Sequence, residues 1–448
     1  MSENLLSVGI DVGTTSTQLV VSRLQVENRA SGFAVPELVI TNREILYRSP
    51  VHFTPLLEGK LVDGEKLRRI VEEEYQKSGI SREKVDTGAV IVTGETSRRE
   101  NARTVLEALS EYAGDFVVTT AGPDLESVLA AKGAGAVAYS RDTGKMVLHM
   151  DIGGGTSNLA LIRDGEILRT GCLNVGGRLV KFTEQGEITY LSPVLSGICP
   201  WKTGEIPGKQ QREALAQTLA AALEMAAGRR AVTPLLAQLL TEEAVQSWVP
   251  PEEPVVVSFS GGVADCIRED VPPLLFGDLG PELGRAIGES SLCRGDYILG
   301  TETIRATVIG AGCHTTQLSG STVYHQNIRF PLKNLPVLKL SELSTLRDRL
   351  SRQEQQVIVS MEGIRSPSYR QVAELAEGLL NQMGSPILLC MEQDMAKALG
   401  QALAVRLPSD AAVLCIDRIR LEEGSFLDIG APVGSALPVV VKTLVLSK

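Results

Sequence analysis

The 448-residue chain is poor in aromatic residues, has no excess of positive charge and has no paired cysteines, and each lack removes a class of function. Aromatic side chains make up 4% of the sequence, too few for the stacking platforms that hold single-stranded nucleic acid. The formal net charge is −10, so no basic field exists to track a nucleic-acid backbone, and nucleic acid is not an expected partner. Cys172, Cys199, Cys266, Cys293, Cys313, Cys390 and Cys415 stand singly, with no C-x-x-C pair. That spacing argues against zinc ribbons, redox pairs and iron–sulfur ligation, and an odd, scattered set suits a reducing cytoplasm. No G-x-x-x-x-G-K-[ST] run occurs. Gly204 to Lys209 has the wrong spacing, and no Ser or Thr follows, so this is not a P-loop chain. No apolar stretch approaches bilayer-spanning length, and no signal-peptide pattern precedes the first strand. A soluble, cytoplasmic protein without membrane association is expected. Any phosphate site must then be built locally, from backbone N–H groups and a metal.

What is present is alternating strand and helix pattern along a chain long enough for two or three domains. Val8 and Ile10 precede a Gly/Thr turn and Leu19, Val20 and Val21 follow it, which reads as two strands. Strand patterns recur at Leu38–Tyr47, Ala89–Thr93 and Phe116–Thr119. A helix is expected through Leu67, Ile70, Val71 and Tyr75, and another after the capping box Ser97–Glu100. Pro123 opens a third over Asp124–Tyr139. This β-β-β-α-β-α-β-α order restarts near Lys145, with strands at Met146–Asp151, Asn158–Arg163 and Glu166–Cys172. Helices are expected over about Gln211–Ala227 and Thr233–Trp248, and strands at Pro254–Phe259 and Ile304–Ile309. Val357–Ser360, Ile387–Cys390 and Val413–Ile416 are strands of a further α/β region. The expected division is 1–144, a first lobe; 145–324, a second lobe with an insertion near 181–210; and 325–448, a C-terminal α/β region. Two lobes of the same wiring imply a cleft between them, a usual place for a ligand.

Two turns carry the chemistry. In Gly9-Ile10-Asp11-Val12-Gly13-Thr14-Thr15-Ser16 an apolar strand delivers Asp11 to a tight turn. Gly13 lets backbone approach an anion, successive N–H groups form a concave anion site, and Thr14 and Thr15 add hydroxyl donors. Asp11 cannot face a phosphate alone, but it can hold Mg²⁺ or its water shell. Met150-Asp151-Ile152-Gly153-Gly154-Gly155-Thr156-Ser157 repeats that logic. Each motif alone is equally well an ordinary hairpin turn. Together, each opening a three-strand unit of one lobe, they present Asp11 and Asp151 as metal-holding carboxylates for a Mg-triphosphate, ATP. A Gly pair after a strand, Gly261-Gly262, offers flat backbone for a nucleoside, although such a pair is weak evidence alone. His149 lies two residues before Asp151 and so shares its strand face; a hydrogen-bonded structural role is the reading preferred over a catalytic one.

These turns resemble the two phosphate motifs and the adenosine motif of the actin, sugar kinase and heat-shock ATPase class. The resemblance implies an α/β fold of two ribonuclease-H-like lobes with a nucleotide cleft between them. Gly133–Tyr139 and Gly310–Gly312 resemble its inter-lobe connecting helices, where small residues let helices cross closely. Glu126, near the start of the helix opened by Pro123, matches a Glu of the exopolyphosphatase branch that orients the attacking water; a solvated first-turn Glu is the plain alternative. With Asp11 and Asp151 it completes the expected catalytic set.

Four further blocks resemble the reactivating factors of ethanolamine ammonia-lyase, the EutA family. They are Val92–Ala102, Asn174–Leu179, Met391–Gly400 and Asp428–Leu444, which span nearly the whole chain. The resemblance implies a chaperone-like, weak Mg-dependent ATPase that releases damaged cobalamin from the adenosylcobalamin-dependent lyase, its partner. It carries the metal and phosphate roles to Asp11, Thr14, Thr15, Asp151 and Gly153–Gly155, with Thr156 beside them. It also leaves open a homodimer and association with an ethanolamine-utilisation microcompartment. No D-x-H-x-x-G run occurs, so the chain is not expected to hold cobalamin by that route. The alternatives are an exopolyphosphatase or guanosine-pentaphosphate phosphatase and an actin-like assembly ATPase.

Overall fold

The structure is a computed structural model describing residues 3–13, 16–28, 38–57, 61–93, 109, 118–120, 123–300, 303–314, 316–319, 322–353, 355–421, 423, 425–432 and 436–443. Three sheets organise it. The first contains β1 (Glu3–Val12), β2 (Ser16–Asn28), β3 (Leu38–Arg48), β4 (His52–Phe53), β7 (Thr87–Val92) and β8 (Val118–Thr120). The short strands β5 (Leu56–Leu57) and β6 (Leu61–Val62) pair separately. Its order is β3-β2-β1-β7-β8, antiparallel across the first three strands and parallel from β1 onward. Alternate residues of β1, Val8, Ile10 and Val12, pack on α1 (Gly64–Ser78) through Leu67 and Val71. Asp63 caps that helix by accepting from the Lys66 N–H, and Gly79 ends it at φ 68°.

The second sheet contains β9 (Val147–Ile152), β10 (Ser157–Arg163), β11 (Glu166–Leu173), β14 (Val256–Ser260) and β15 (Tyr297–Leu299), in the order β11-β10-β9-β14-β15. Its directions repeat those of the first sheet strand for strand. The two lobes therefore share the ribonuclease-H-like wiring expected from the sequence. The hairpin β12 (Val180–Phe182) and β13 (Ile188–Leu191) occupies part of the pattern-breaking stretch near 181–210, and its Phe182 and Ile188 join the second core. Helices α4 (Lys209–Ala226) and α8 (Gly280–Glu289) pack in the same core, with the one-turn α7 (Asp265–Arg268) beside α8.

The third sheet has eight strands: β16 (Thr316–Leu318), β17 (Tyr324–Gln326), β18 (Leu332–Lys339), β19 (Ile358–Met361), β20 (Ile387–Met391), β21 (Val413–Asp417), β22 (Ser425–Ile429) and β23 (Pro438–Thr443). Strands β18 to β21 are parallel and sequential, with α10 (Leu346–Leu350), α11 (Tyr369–Leu380) and α12 (Ala396–Ala404) contributing to this region's core.

Three helical expectations change. Asp124–Tyr139 is two helices, α2 (Pro123–Gly133) and α3 (Ala136–Thr143), because Gly135 at φ 81° breaks the helical path. Thr233–Trp248 is likewise two, α5 (Pro234–Leu239) and α6 (Glu242–Ser247), separated where Leu240 bridges to Leu173. Ile304–Ile309, read as a strand, lies largely in α9 (Ala306–His314). Ala306, Val308, Ile309, Ala311 and Cys313 are all buried, so the helix is apolar all round and shows no 3.6-residue stripe. The expected helix after Ser97–Glu100 lies outside the described residues.

Helices α2 and α9 exchange sheets. The first follows the first sheet but packs on β9, β10 and β11, while the second follows the second sheet but packs on β1, β2 and β7. They cross at glycine: a Cβ on Gly133 would stand 1.9 Å from the Ala306 carbonyl oxygen, and one on Gly310 would stand 2.0 Å from that of Leu129.

Candidate functional site

The two turns have the same construction. Gly13 N–H donates to Ser16 O at 2.9 Å, and Gly153 N–H donates to Thr156 O at 2.9 Å. The first turn is braced from outside by Thr54, whose Oγ1 donates to Gly13 O at 2.8 Å. The second is braced from behind: Gly177 N–H donates to Gly153 O at 3.1 Å, and Arg178 N–H to Gly154 O at 2.6 Å. None of Gly153, Gly154 and Gly155 adopts a left-handed φ, so what this run provides is access rather than unusual backbone. Among the described residues, a Cβ on Gly155 would meet nothing within 4 Å, and one on Gly154 would meet the Arg178 side chain from 3.4 Å. Thr14 and Thr15 lie outside the described residues.

Asp11 ends β1 beside Thr93, whose Oγ1 donates to Asp11 Oδ1 at 2.9 Å. The Asp11 side chain opens partly on the cleft, but protein crowds it elsewhere. That burial pushes its carboxyl up to about 8, opposed by the Thr93 hydrogen bond and reinforced by the charges of Glu126 and Asp151. Glu126 and Asp151 thus both lie close enough to Asp11 for their charges to bear on it. Asp151 accepts from Ser260 Oγ and, at 3.4 Å, from Thr307 Oγ1; burial pushes it up to about 6. Glu126 is buried on α2, and its Oε2 accepts from Asn158 Nδ2 at 2.8 Å. It is not the solvated first-turn residue of the plain alternative. His149 lies between Ser258 and Ser260 at 3.1 and 3.0 Å, and burial pushes its imidazole down to about 3. It stays neutral and holds Ser260 against Asp151, which is the structural role expected of it.

Gly261 needs to be glycine for two reasons. Its φ is 87°, and a Cβ would stand 2.3 Å from Ile152 O. This turn therefore lies directly on the strand end that carries Asp151, with Val263 N–H donating to Ile152 O at 3.2 Å. A Cβ on Gly262 would touch only Ile304, at 3.6 Å.

Among the described residues, no three His, Cys, Asp or Glu side chains converge as a protein-only metal cage. Two crowded carboxylates, Asp11 and Asp151, beside the glycine turn Gly153–Gly155 instead fit a hydrated divalent cation. Mg²⁺ is such an ion, keeping several waters and taking one or two carboxylates plus substrate phosphates. Sequence reasoning missed Thr93, Asn158, Ser260 and Thr307. Of these, Thr93 and Ser260 carried a legible signal: each is a hydroxyl residue at the C-terminal end of an apolar strand run. Among the described residues, no helix is long and apolar enough to cross a membrane.

The family model for "Ethanolamine utilisation protein EutA" matches residues 3–447. The chain is 38% identical over 470 aligned residues to "Ethanolamine ammonia-lyase reactivase EutA" of Salmonella typhimurium strain LT2, with 99% of each chain covered. It is 36% identical over 468 to the protein of the same name from Escherichia coli K12, again with 99% of each covered. Among solved structures, the Aquifex aeolicus PPX-GPPA enzyme aligns at 14% identity and TM-score 0.42, covering 69% of this chain and 99% of that one. The ethanolamine utilization protein EutJ of Carboxydothermus hydrogenoformans aligns at 19% identity and TM-score 0.34, covering 68% and 88%. The match to the family model over residues 3–447 and the two full-length relatives show the family: the chain belongs to the EutA family of ethanolamine utilisation proteins.

Proposed function

We propose that this protein is an ATP-dependent reactivating factor for ethanolamine ammonia-lyase, releasing damaged cobalamin so that intact adenosylcobalamin can rebind. The observation that carries the reading is the matched pair of Asp-bearing turns facing one cleft, in a chain similar end to end to two curated reactivases of that lyase. The exopolyphosphatase and assembly-protein alternatives draw no observation of their own.

In this reading the amides of the two turns take the phosphates, and Gly261-Gly262 receives the nucleoside. Asp11 and Asp151 hold Mg²⁺ through its water shell, which when bound neutralises the phosphate charge. Glu126, aimed by Asn158, accepts the proton of the attacking water. The Gly133/Gly310 crossing lets the lobes rotate, so that ATP and ADP favour different lobe angles and the lyase binds one of them better. The division at 1–144, 145–324 and 325–448 follows this mechanism, and the work is placed in the cytoplasm as a weak Mg-dependent ATPase.

The test is release of cyanocobalamin from the inactivated lyase, read as absorbance in a filtrate. Protein with Mg-ATP is expected to release cobalamin well above buffer. Release equal to buffer alone refutes the reactivase reading while leaving nucleotide binding intact.

A further inference from the structure

Phe53 and Arg178 meet across the cleft. Phe53 belongs to β4, where it pairs with Ser16, the residue that closes the first phosphate turn. The neighbouring Thr54 holds Gly13 of that turn. Arg178 is attached to the second turn by its own N–H on Gly154 O, and its side chain lies against Gly154. Its guanidinium carbon stands 5.8 Å from the centroid of the Phe53 ring. One side chain from each turn thus touches the other, Arg178 over the Phe53 ring.

The state of both side chains is unusual. Phe53 is 78% exposed, although it is a large apolar ring. Arg178 is held by one nitrogen: Nε donates to Asp278 Oδ2 at 3.0 Å, and Asp278 is fixed by accepting the Gly280 N–H through Oδ1 at 2.8 Å. Among the described residues, the two terminal nitrogens of Arg178 donate to no protein group. An arginine oriented by a buried carboxylate, with its bidentate end unspent, has the geometry that recognises phosphate. The chain has a net charge of −10 and no P-loop lysine, so a side-chain cation for a phosphate at this turn has to come from another part of the sequence, and Arg178 stands beside Gly154.

We propose that Arg178 contacts the terminal phosphate of a nucleoside triphosphate in the cleft, and that its contact with Phe53 is a clasp between the lobes which that phosphate opens. This rests on the nucleotide reading of the cleft. A nucleoside diphosphate leaves the clasp closed, because the group that competes with the ring for the guanidinium is the third phosphate. The clasp thereby converts the identity of the nucleotide into the presence or absence of one contact between the two phosphate turns.

The experiment measures Mg-ATP and Mg-ADP affinity by calorimetry on the full chain for wild type, Arg178→Ala, Arg178→Lys and Phe53→Ala. Arg178→Ala is expected to lose ATP affinity by about tenfold or more, the worth of one charge-assisted hydrogen-bonded contact. Its ADP affinity should change far less, and Arg178→Lys should fall between. Phe53→Ala removes a competitor on an exposed ring, so it folds normally and binds ATP roughly two- to fivefold more tightly, with ADP unchanged. A purely structural Arg178 predicts equal losses for ATP and ADP, and that result overturns the proposal, as does unchanged ATP affinity in Phe53→Ala. If wild type binds neither nucleotide, the cleft reading and this proposal fall together. If wild type binds ATP and Arg178→Ala binds it equally well, the proposal alone falls. Should Arg178→Ala fail to fold, Arg178→Lys and Phe53→Ala decide the matter.

Discussion

Asp11→Asn is expected to stabilise the nucleotide-free protein and to weaken Mg-ATP binding. Burial, with the charges of Glu126 and Asp151, pushes the Asp11 carboxyl from 3.8 up to about 8. The folded state therefore holds this proton more tightly than the unfolded chain does. A carboxyl with a raised folded value contributes stability that is fully present below about pH 4 and is lost as the pH climbs toward 8. At pH 7 the unfolded chain would be ionised and the folded chain protonated. About three pH units at about 1.4 kcal/mol each set a ceiling of about 4 kcal/mol on the cost of that uptake. Water reaching Asp11 from the cleft screens the group, so on the order of 2 kcal/mol is the expected effect. Asn matches the protonated acid in shape, keeps an oxygen for the Thr93 hydroxyl and needs no proton.

The assay is thermal unfolding in EDTA at pH 4, 6 and 8, beside calorimetry with Mg-ATP. The variant should match wild type at pH 4 and exceed it increasingly toward pH 8. Its Mg-ATP affinity should fall by about tenfold or more, because an amide supplies neither the charge nor the two oxygens that Mg²⁺ and its waters take from a carboxylate. A variant less stable than wild type at pH 8 refutes the electrostatic account. Unchanged Mg-ATP affinity refutes the metal role. The two failures are separable because one is read without any ligand.

Three other outcomes follow from the geometry. Gly154→Val should weaken Mg-ATP binding while moving the unfolding temperature little, since a Cβ there stays at ordinary contact distance, 3.4 Å or more, from the Arg178 side chain; normal ATP affinity makes that turn merely structural. Glu126→Gln should bind Mg-ATP but slow phosphate release by roughly 10²- to 10⁴-fold, with Asn158 still bonded to the amide oxygen; an unchanged rate removes Glu126 from the chemistry. Gly310→Ala should cost about 2 kcal/mol or more despite the better helix former, because its Cβ meets backbone at 2.0 Å; unaltered thermal unfolding contradicts the close crossing.

The turns were legible in the sequence because their chemistry is local: strand, Asp, glycine and hydroxyl residues follow one another within eight positions, as at Gly9–Ser16. The three-strand openings were legible for the same reason, each strand being a short run of neighbours bounded by turn residues. What escaped is non-local. Thr307 reaches Asp151 from 156 positions away, and Asn158 reaches Glu126 from 32. Arg178 lies near Gly154 only because β10 and β11 return the chain to the turn. Helix α9 was misread because its described residues other than Thr307 are all buried, so its sequence has no polar stripe to separate it from a buried strand. Gly9 belongs by sequence to the first phosphate turn, yet a Cβ there would stand 2.4 Å from the Val308 carbonyl oxygen, so its glycine serves the seat of α9.

That seat also decides what moves with what. Ser7 Oγ donates to Gly312 O, which fastens β1 to α9 through buried groups. Ala311 of α9 packs in one buried cluster with Ala89 and Ile91 of β7, Leu129 of α2 and Val440 of β23. Leu318 of β16 packs against the cluster that contains Val308, Ile309 and Cys313 of α9. The C-terminal sheet thus rests on α9 and the first lobe, through both of its strands nearest that edge. Close-packed interiors transmit displacement rather than absorb it, and at the glycine crossing Ala130 of α2 and the adjoining Ala134 pack with Ala306 of α9. The first lobe, α9 and the C-terminal sheet therefore form one packed body.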